Sequence, residues 1–387
     1  MERVALLRCD NYDLDLVEKK IRDGFELLGG DSYIRKLIPY NSKLLLKPNM
    51  LSVESKDSIV VTSPTVFEAA IRIFKDYTSD ISFGDSPGFG DSRKAAVKIG
   101  LMEVADRYNV RFDEFKNEIH ARLDDSILIK SWNVAKAAYE SDVLITLPRI
   151  KTHAMAYYTG AIKNQFGCVV GTSKASFHTR VPEAENFSKM LLDLNKVVNT
   201  SFAILDGIVA MQGNGPKSGT PYNLKTIVMG ENLPSVDSVG SYLIGYKDPL
   251  DIPALKQAYN NGYKGVLLKD IDVLGENIEE LKVNDFKFAV KKSNFTFGNM
   301  FLNNALRNLI TPNPSLIKEK CISCKRCSEV CPRKPKVITM KEENGKLYPD
   351  FNLNNCIRCF CCQELCPVGA IEPKYSLAAK ALKLNKR

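Results

Sequence analysis

The stretch CISCKRCSEVCP, residues 321–332, returns in the same cysteine frame as CIRCFCCQELCP at residues 356–367. Both copies follow the spacing C-x2-C-x2-C-x3-C-P. Three thiols placed at every third residue can wrap one cubane on a tight loop, while the fourth, a helical turn later and before a proline, points away from it. In bacterial ferredoxins with two clusters, that fourth cysteine ligates the other cluster. The two copies therefore predict a small ferredoxin-like α+β domain.

The same frame predicts how the cysteines divide between two [4Fe–4S] clusters. One set is Cys321, Cys324, Cys327 and Cys366, and the other is Cys331, Cys356, Cys359 and Cys362. Structural zinc is an alternative for paired C-x2-C elements. A structural zinc ion needs only four ligands. Zinc binding therefore does not explain why a frame of four cysteines followed by proline occurs twice. Cys361 falls out of register, and we expect it to neighbour a cluster without binding it.

Disulfides are the second alternative, and they depend on the compartment of the protein. The chain opens with Met1-Glu2-Arg3 and without a charged-then-apolar leader that ends in small residues. We therefore expect a reducing, cytoplasmic location and free thiols. No apolar run approaches the ~18 residues that a membrane-spanning helix needs, so we also expect no transmembrane segment.

Composition bounds the size and the partners of the protein. A length of 387 residues predicts two or three domains, and an apolar fraction of 44% is ample for buried cores. The formal net charge of +9 favours an anionic small-molecule substrate, or an acidic protein as electron donor or acceptor. No nucleic-acid-binding motif accompanies this charge, so we expect no nucleic-acid partner.

Upstream of the cysteines, short β-rich runs alternate with amphipathic stretches, which is typical of an α/β domain with a largely parallel sheet flanked by helices. Predicted strands are 3–8, 43–47, 80–84, 142–147, 202–206 and 224–229, with further strands within 110–130; predicted helices are 14–28, 64–77, 91–107, 132–140, 183–198 and 235–245. The helix-breaking run TPNP at 311–314 marks a boundary. We predict an α/β domain at 1–310, a ferredoxin-like domain at 311–375 and a basic closing helix or tail at 376–387.

In an open parallel sheet, ligands bind beyond the carboxyl ends of the strands, so the residues that follow each strand are candidates for a site. Lysines there would hold an anionic group and stabilise charge that develops on it, and a histidine would donate a proton. A single polar residue after a strand can instead be a turn former, a helix cap or a structural histidine. The candidate catalytic residues are Lys47, Asn49, Asp85, Lys151, His153, Lys163 and Asp206.

Glycines and the two other histidines complete the candidates. Gly213 and Gly215, in GNGP at 213–216, could bind an anionic cofactor or substrate group through their backbone amides. Neither a G-x-G-x-x-G fingerprint nor a P-loop motif is present, so no standard nucleotide site is predicted. His178 is a second proton-donor candidate, whereas we expect His120 at the surface.

Seven strings of the large domain together resemble one known family, the domain-of-unknown-function 362 family. The strings are KPN at 47–49, TSP at 62–64, GDSP at 84–87, PRIKTH at 148–153, TGAIKNQFG at 159–167, DG at 206–207 and MQGNGP at 211–216. Members of that family often carry a C-terminal two-cluster ferredoxin domain. The resemblance implies an iron–sulfur protein of the anaerobic type, and it names no substrate. This chain departs from the pattern at residues 333–336, which lengthen one ferredoxin loop and form a candidate docking surface.

Three functions from different classes fit these observations. The first is an iron–sulfur oxidoreductase that passes low-potential electrons from two [4Fe–4S] clusters to an anionic organic substrate in the α/β domain. The second is an electron-transfer protein whose α/β domain is a docking or ligand-sensing platform. The third is a non-redox acid–base or metal-assisted enzyme with accessory clusters. The first requires the strand-end residues to lie near a cluster, and the second requires them to be remote from it.

Overall fold

The structure is a computed structural model, and it describes residues 1–88, 90–171, 174, 177, 180–181, 183–289 and 312–376. The predicted closing helix at 376–387 lies outside these residues except for Ser376, and His178 also lies outside them.

The described strands and helices are numbered here in chain order. The strands are β1 Glu2–Arg8, β2 Leu44–Pro48, β3 Ile81–Gly84, β4 Arg111–Asp113, β5 Glu118–Arg122, β6 Ser131–Ala135, β7 Val143–Leu147, β8 Arg149–His153, β9 Tyr157–Thr159, β10 Phe202–Asn214, β11 Ser218–Tyr222, β12 Thr226–Gly230, β13 Ile271–Gly275, β14 Asn313–Leu316, β15 Ile338–Glu343, β16 Lys346–Phe351 and β17 Ile371–Lys374. The helices are α1 Leu14–Leu28, α2 Gly30–Leu37, α3 Pro64–Phe74, α4 Ser92–Ile99, α5 Leu101–Arg107, α6 Lys136–Tyr139, α7 Ala161–Asn164, α8 Ala184–Val197, α9 Leu233–Leu243, α10 Pro253–Asn260, α11 Ile278–Leu281, α12 Arg326–Glu329 and α13 Cys361–Glu364.

A large mixed sheet forms the centre of the α/β domain. Its strands run in the order β13-β1-β12-β10-β7-β2-β3-β4, and β8, β9 and β11 attach beside β10. The pairings from β10 through β7, β2 and β3 to β4 are all parallel, whereas β12 is antiparallel to both of its neighbours. The predicted α/β fold with a largely parallel sheet is confirmed.

Both faces of this sheet are buried under helices. In β1, Val4 and Leu6 belong to the apolar cluster that contains residues of α8 and α9, whereas Ala5 and Leu7 belong to the cluster that contains residues of α1 and α3. This alternation is the period of two that a strand imposes on its side chains. Two separate cores therefore form, one on each side of the sheet.

Helix starts are locally encoded. The side chain of Ser63 accepts a hydrogen bond from the amide of Thr65, and Pro64 occupies the first turn of α3; both residue types are favoured at these positions of a helix start. The predicted helix at 91–107 is interrupted, because Gly100 takes a left-handed conformation with φ of 92° and separates α4 from α5.

Two predicted segments differ from the structure. The predicted helix 132–140 begins as the strand β6, in which Trp132 and Val134 alternate inward opposite β5, and only Lys136–Tyr139 is helical. Residues 149–153 follow a predicted strand but form a strand of their own, β8, which pairs with β10 instead of continuing β7. Pro148 lies between the two strands and has no amide hydrogen to offer a ladder, which explains the break.

The ferredoxin-like region is built from two short ladders, β14 with β17 and β15 with β16, and from two short helices, α12 and α13. Its internal repeat is visible in the backbone. Ser323 and Lys325 in the first copy, and Arg358 and Phe360 at the equivalent positions of the second, all have φ between 55° and 61°. Non-glycine residues rarely adopt this conformation, so both loops are curled in the same strained way.

Candidate functional site

Each curled loop surrounds a cavity lined by cysteines. The two cavities are lined by different sets, each of which takes three cysteines from one copy and the fourth from the other copy. The first set is Cys321, Cys324, Cys327 and Cys366, and the second is Cys331, Cys356, Cys359 and Cys362. All eleven cysteines of the chain are free thiols in the structure. Free thiols converging on two protein-lined cavities fit thiolate-held iron–sulfur groups.

Backbone amides point at sulfur in both sets. The amide of Ala370 donates to Sγ of Cys366 at 3.2 Å, and the amide of Arg358 donates to Sγ of Cys356 at 3.4 Å. Hydrogen bonds to ligand sulfur are one of the features that set the potential of an iron–sulfur site. Cys361 also lines the second cavity.

A buried ion pair connects the ends of β2 and β3. Nζ of Lys47 donates to Oδ1 of Asp85 at 2.8 Å and to the carbonyl of Pro48 at 2.9 Å, and both side chains are almost fully buried. Oδ2 of Asp85 accepts from the amide of Met50 at 2.8 Å. A Cβ at position 167 would lie 1.8 Å from Oδ1 of Asp85, so only glycine fits there. Lys47 and Asp85 are thus brought together, as parallel strand ends should be.

A second lysine at this place was not predicted from the sequence. Lys174 is buried and donates to the carbonyls of Ser86 and Pro87, directly after Asp85. Burial lowers the pKa of Lys174 to about 7, and Asp85 opposes this shift while Lys47 adds to it. The half-buried Lys163 is also one of the charges that lower the pKa of Lys174.

Asn49 and Lys151 meet at one carbonyl. Nζ of Lys151 donates to the carbonyl of Val60 at 2.9 Å, and the side-chain amide of Asn49 donates to the same oxygen at 3.3 Å. Both side chains therefore face the loop that connects β2 to α3. They hold this loop from its inner side.

Asp206 lies in a separate buried network. Its carboxylate accepts from Nε of Arg149 at 3.1 Å and from the hydroxyl of Tyr12 at 2.9 Å, and the guanidinium lies over the Tyr12 ring. Burial, with the nearby Asp206 charge, raises the pKa of Tyr12 well above its ordinary value. Tyr12 and Arg149 were not among the predicted site residues, and only their tertiary contact with Asp206 reveals them.

His153 ends β8 and is fully buried. Its Nδ1 accepts hydrogen bonds from the amides of Met155 and Ala156, both at 3.1 Å. Because Nδ1 is an acceptor, the neutral ring carries its proton on Nε2. His120 is exposed and contacts Asn133, in line with the prediction for it.

The two candidate glycines lie at the turn between β10 and β11, where their amides bond to backbone carbonyls. The amide of Gly213 donates to the carbonyl of Lys287 at 2.6 Å, and that of Gly215 donates to the carbonyl of Gly213 at 2.9 Å. A Cβ on Gly215 would lie 1.8 Å from the carbonyl oxygen of Thr152. Backbone carbonyls thus accept from both amides in this structure, and glycine is needed at 215 for close approach to β8. That these glycines bind an anionic group stays a prediction.

The ferredoxin-like region contacts the carboxyl edge of the sheet at two places. A Cβ on Gly88, just after β3, would lie 3.7 Å from Leu365, and a Cβ on Gly369 would lie 2.9 Å from Oγ of Ser218. Cys366 falls between these two contacts in the chain. One cysteine cavity therefore adjoins the side of the sheet where the predicted site residues end their strands.

A mixed α/β domain joined to a ferredoxin-like domain with cysteine-lined cavities defines an iron–sulfur protein. The chain belongs to the family described as "Domain of unknown function (DUF362)", which matches residues 44–242, and a 4Fe-4S dicluster domain matches residues 320–370. None of the helices in the described part of the chain has the length and the apolar character that a membrane crossing requires.

Two curated proteins are similar in sequence. The thylakoid-associated protein sll1697 of Synechocystis is 30% identical over 256 residues, which cover 66% of this chain and 78% of that protein. An uncharacterized ferredoxin of Methanocaldococcus jannaschii, MJ0722, is 58% identical over 31 residues, which cover 8% of this chain and 39% of the ferredoxin.

Two solved structures are weakly similar. A Thermotoga maritima protein from a structural genomics project has a TM-score of 0.37 at 12% identity, and the lactate racemase apoprotein of Thermoanaerobacterium thermosaccharolyticum has 0.36 at 12% identity. The matches cover 56% and 60% of this chain, and 55% and 54% of those chains. At such TM-scores neither likeness bears on the function.

Proposed function

We propose that the protein is an iron–sulfur oxidoreductase that passes low-potential electrons to an anionic organic substrate bound by the α/β domain. Two [4Fe–4S] clusters would be held by the two cysteine sets, three ligands from one copy and one from the other in each case. Such clusters supply one electron at a time at low potential. The free cysteines support a reducing, cytoplasmic location for the protein.

The close approach of the segment 365–369, which contains Cys366, to the sheet edge carries this proposal. The segment from Leu365 to Gly369 touches the loop after β3 at one end and the start of β11 at the other. A pure carrier does not require a segment that holds a ligand cysteine to pack beside the strand ends of another domain. The formal net charge of +9 supports an anionic substrate, since a positively charged surface attracts anions.

The protein's own residues would position the substrate and manage protons. Lys151 and Asn49 hold the loop carbonyl of Val60, so they order the backbone beside the sheet edge. His153 carries its proton on Nε2 and is a candidate donor. Lys174, with a pKa of about 7, can give or take a proton near neutral pH.

One observation favours the carrier alternative. Lys47 is buried and paired with Asp85, and Lys151 is buried against Val60, so these side chains are engaged inside the domain. A docking or sensing platform would need only their structural role. In that case the loop at residues 333–336, beside Cys331, would serve as the docking surface for a partner protein.

Reoxidation of the reduced protein decides between the two functions. We would reduce the anaerobic protein with dithionite and add either the small-molecule fraction or the protein fraction of source cells, following cluster absorbance. Under the proposal the small-molecule fraction reoxidises the wild type, and the Lys151→Ala/His153→Ala variant reacts about a hundredfold more slowly at unchanged iron content. A carrier would respond only to the protein fraction, at equal rates in both proteins, and would lose rate when residues 333–336 are changed.

A further inference from the structure

The two cysteine loops share a backbone conformation but differ in exposure. Cys324, in the loop of the first copy, is exposed, whereas Cys359 at the equivalent position of the second copy is buried. Both loops curl through the same left-handed positions, so the backbone does not cause this difference. The first cysteine set has a ligand at the protein surface, while all four cysteines of the second set are buried or half-buried.

The side chains beside these cysteines explain the difference. Phe360 and Cys361 follow Cys359 in the second copy, and both are buried. Lys325 and Arg326 stand at the equivalent positions of the first copy, where Lys325 is exposed and Arg326 is half-buried. Lysine and arginine are rarely buried without a partner, whereas phenylalanine and cysteine are among the side chains most often buried. The sequence therefore turns the first loop towards solvent and the second loop inward.

Apolar side chains adjoin the exposed cysteine. Ile322 is 59% exposed and Val368 is 37% exposed, and both line the cavity of the first cysteine set. Within residues 312–376, these are the two large apolar side chains that the structure shows as exposed. Single exposed apolar residues are common, but a patch of them marks an interaction site. Because both border one cavity, they form such a patch over the first cysteine set.

The charges around this patch are mainly positive. Segment 318–329 carries more basic than acidic side chains: Lys318, Lys320, Lys325 and Arg326 against Glu319 and Glu329. Lys318 pairs with Glu343, whereas Lys320 and Lys325 are exposed and form no ion pair within the described part of the chain. The described lining of the first cavity includes Lys325 and Arg326 and contains no carboxylate.

Lys325 represents this positive charge better than Lys320 does. Lys320 also lines a cleft of about 520 Å³ between the two domains, which the carboxylates of Asp57 and Glu372 border as well. Lys325 and Arg326 do not line that cleft. The charge of Lys325 is therefore available to a partner that approaches Cys324 from solvent.

A protein electron carrier with an acidic surface fits this face best. Electrons pass between proteins only when the two redox centres come close, and an exposed ligand cysteine allows such an approach. Complementary charge speeds the encounter and fixes its orientation. Two copies of this chain would present the same positive charges to each other and repel, and a lipid surface has no use for an exposed redox ligand.

We propose that an acidic, low-potential electron-carrier protein docks on this face and delivers electrons to the first cysteine set. The entry face consists of the loop 320–326 and Val368. At each encounter one electron passes from the reduced carrier to the group held by the first set; the carrier is oxidised by one electron, and no bond is made or broken. This inference rests on the proposed function, for which it names the electron donor. It places docking away from the loop 333–336.

Docking is measured first as binding, without electron flow. The probe is oxidised flavodoxin, a small acidic one-electron carrier, titrated calorimetrically into the anaerobic, iron-loaded protein at low ionic strength. Lys325→Glu should raise the Kd about tenfold, and Ile322→Ala about fivefold, at unchanged iron content.

Matched controls make the same changes elsewhere on the surface. Lys256→Glu alters an exposed lysine of α10, and Val97→Ala shortens a side chain of α4 that is 58% exposed, close to the value for Ile322. Both controls should leave the Kd within about twofold. Lys334→Glu makes the same charge change on the loop 333–336 and tests that loop as the competing surface.

Electron delivery is measured next, by stopped-flow mixing with reduced flavodoxin and the flavin absorbance. The wild-type rate constant should fall as salt is added, because screening weakens the attraction. Lys325→Glu should react about tenfold more slowly at low salt and depend little on salt. Dithionite should reduce all variants to the same extent.

Several results would overturn the entry face. Equal Kd values and rates in wild type, Lys325→Glu and Ile322→Ala would do so, and a loss confined to Lys334→Glu would place docking on the loop 333–336. Binding to anionic phospholipid vesicles without binding to flavodoxin, or self-association that Ile322→Ala abolishes, would assign the face to a membrane or to a second copy of the chain.

Failure of the proposed function gives a different result. Uptake from flavodoxin that depends on Lys325 and Ile322, followed by no reoxidation with the small-molecule fraction, would end the oxidoreductase proposal and keep the entry face. Reoxidation by that fraction after dithionite reduction, with uptake from flavodoxin that neither substitution alters, would keep the oxidoreductase and end the entry face.

Discussion

Replacing one member of the buried Lys47–Asp85 pair should destabilise the α/β domain strongly. Replacing both members should cost less than the sum of the two single effects. At the observed 2.8 Å, an effective dielectric constant of about 20 gives an attraction of about 6 kcal/mol. Removing both charges from water offsets much of this attraction, so the net value of the intact pair is small. A lone buried charge, however, retains its desolvation cost with no partner. We therefore expect Lys47→Met and Asp85→Asn each to lower the free energy of unfolding by about 3–5 kcal/mol.

The double variant distinguishes pairing from simple packing loss. In Lys47→Met/Asp85→Asn neither position of the pair carries a buried charge, and the asparagine oxygen can still accept from the amide of Met50. The double variant should be at least about 2 kcal/mol more stable than the sum of the single effects predicts.

Urea unfolding under anaerobic conditions, followed by the fluorescence of Trp132, measures these differences. Trp132 is the single tryptophan of the chain, is buried, and stacks on Phe177 at 5.3 Å between ring centroids, so it reports on the α/β domain. The exposed pair Lys19–Asp23 is the matched control, and its neutralisation should leave the midpoint nearly unchanged. Additive single effects, or a cost below about 1 kcal/mol for Asp85→Asn, would refute the reasoning.

Two further predictions concern Lys174 and the cysteines. Burial lowers the pKa of Lys174 from 10.5 to about 7, so between these values the unfolded chain binds a proton that the folded protein does not. Stability should therefore rise with pH above 7, by up to about 1.4 kcal/mol per pH unit, and Lys174→Met should flatten this rise in the same fluorescence assay; a parallel pH profile in the variant would contradict it. Iron and acid-labile sulfide should each fall from about eight to about four per chain in Cys324→Ser, and stoichiometric zinc without sulfide in the wild type would contradict the cluster assignment.

The ferredoxin-like region could be predicted because the spacing of its cysteines along the chain is enough to indicate which of them bind a cluster. The two C-x2-C-x2-C-x3-C-P frames determine which thiols share a loop, and the same residues line two cavities in the structure. The central strands could be predicted for a similar reason, since buried runs such as Leu44–Pro48 and Val143–Leu147 carry continuous apolar patterns.

The candidate site was less accessible from the sequence, because its contacts join distant parts of the chain. Lys174 meets the carbonyl of Ser86 across 88 residues, and Tyr12 meets Asp206 across 194. No periodicity or spacing encodes such contacts. The strand at 149–153 was missed because its polar side chains are buried by pairing with β10, whereas hydropathy alone indicates a loop.

The burial of these charges changes what they imply about function. A buried cluster of charged residues at strand ends would be costly if its charges were unpaired, but Lys47 pairs with Asp85 and Arg149 pairs with Asp206. Since a buried pair roughly offsets its own desolvation, such pairs by themselves argue neither for stability nor for catalysis. At the domain boundary, by contrast, the cleft is lined by Asp57, Lys320 and Glu372, none of which forms an ion pair within the described part of the chain. The contacts of Arg149, Lys151 and Asn49 with the carbonyls of Ser58 and Val60 therefore support a scaffold role for the strand-end residues, which order the loop that borders this cleft.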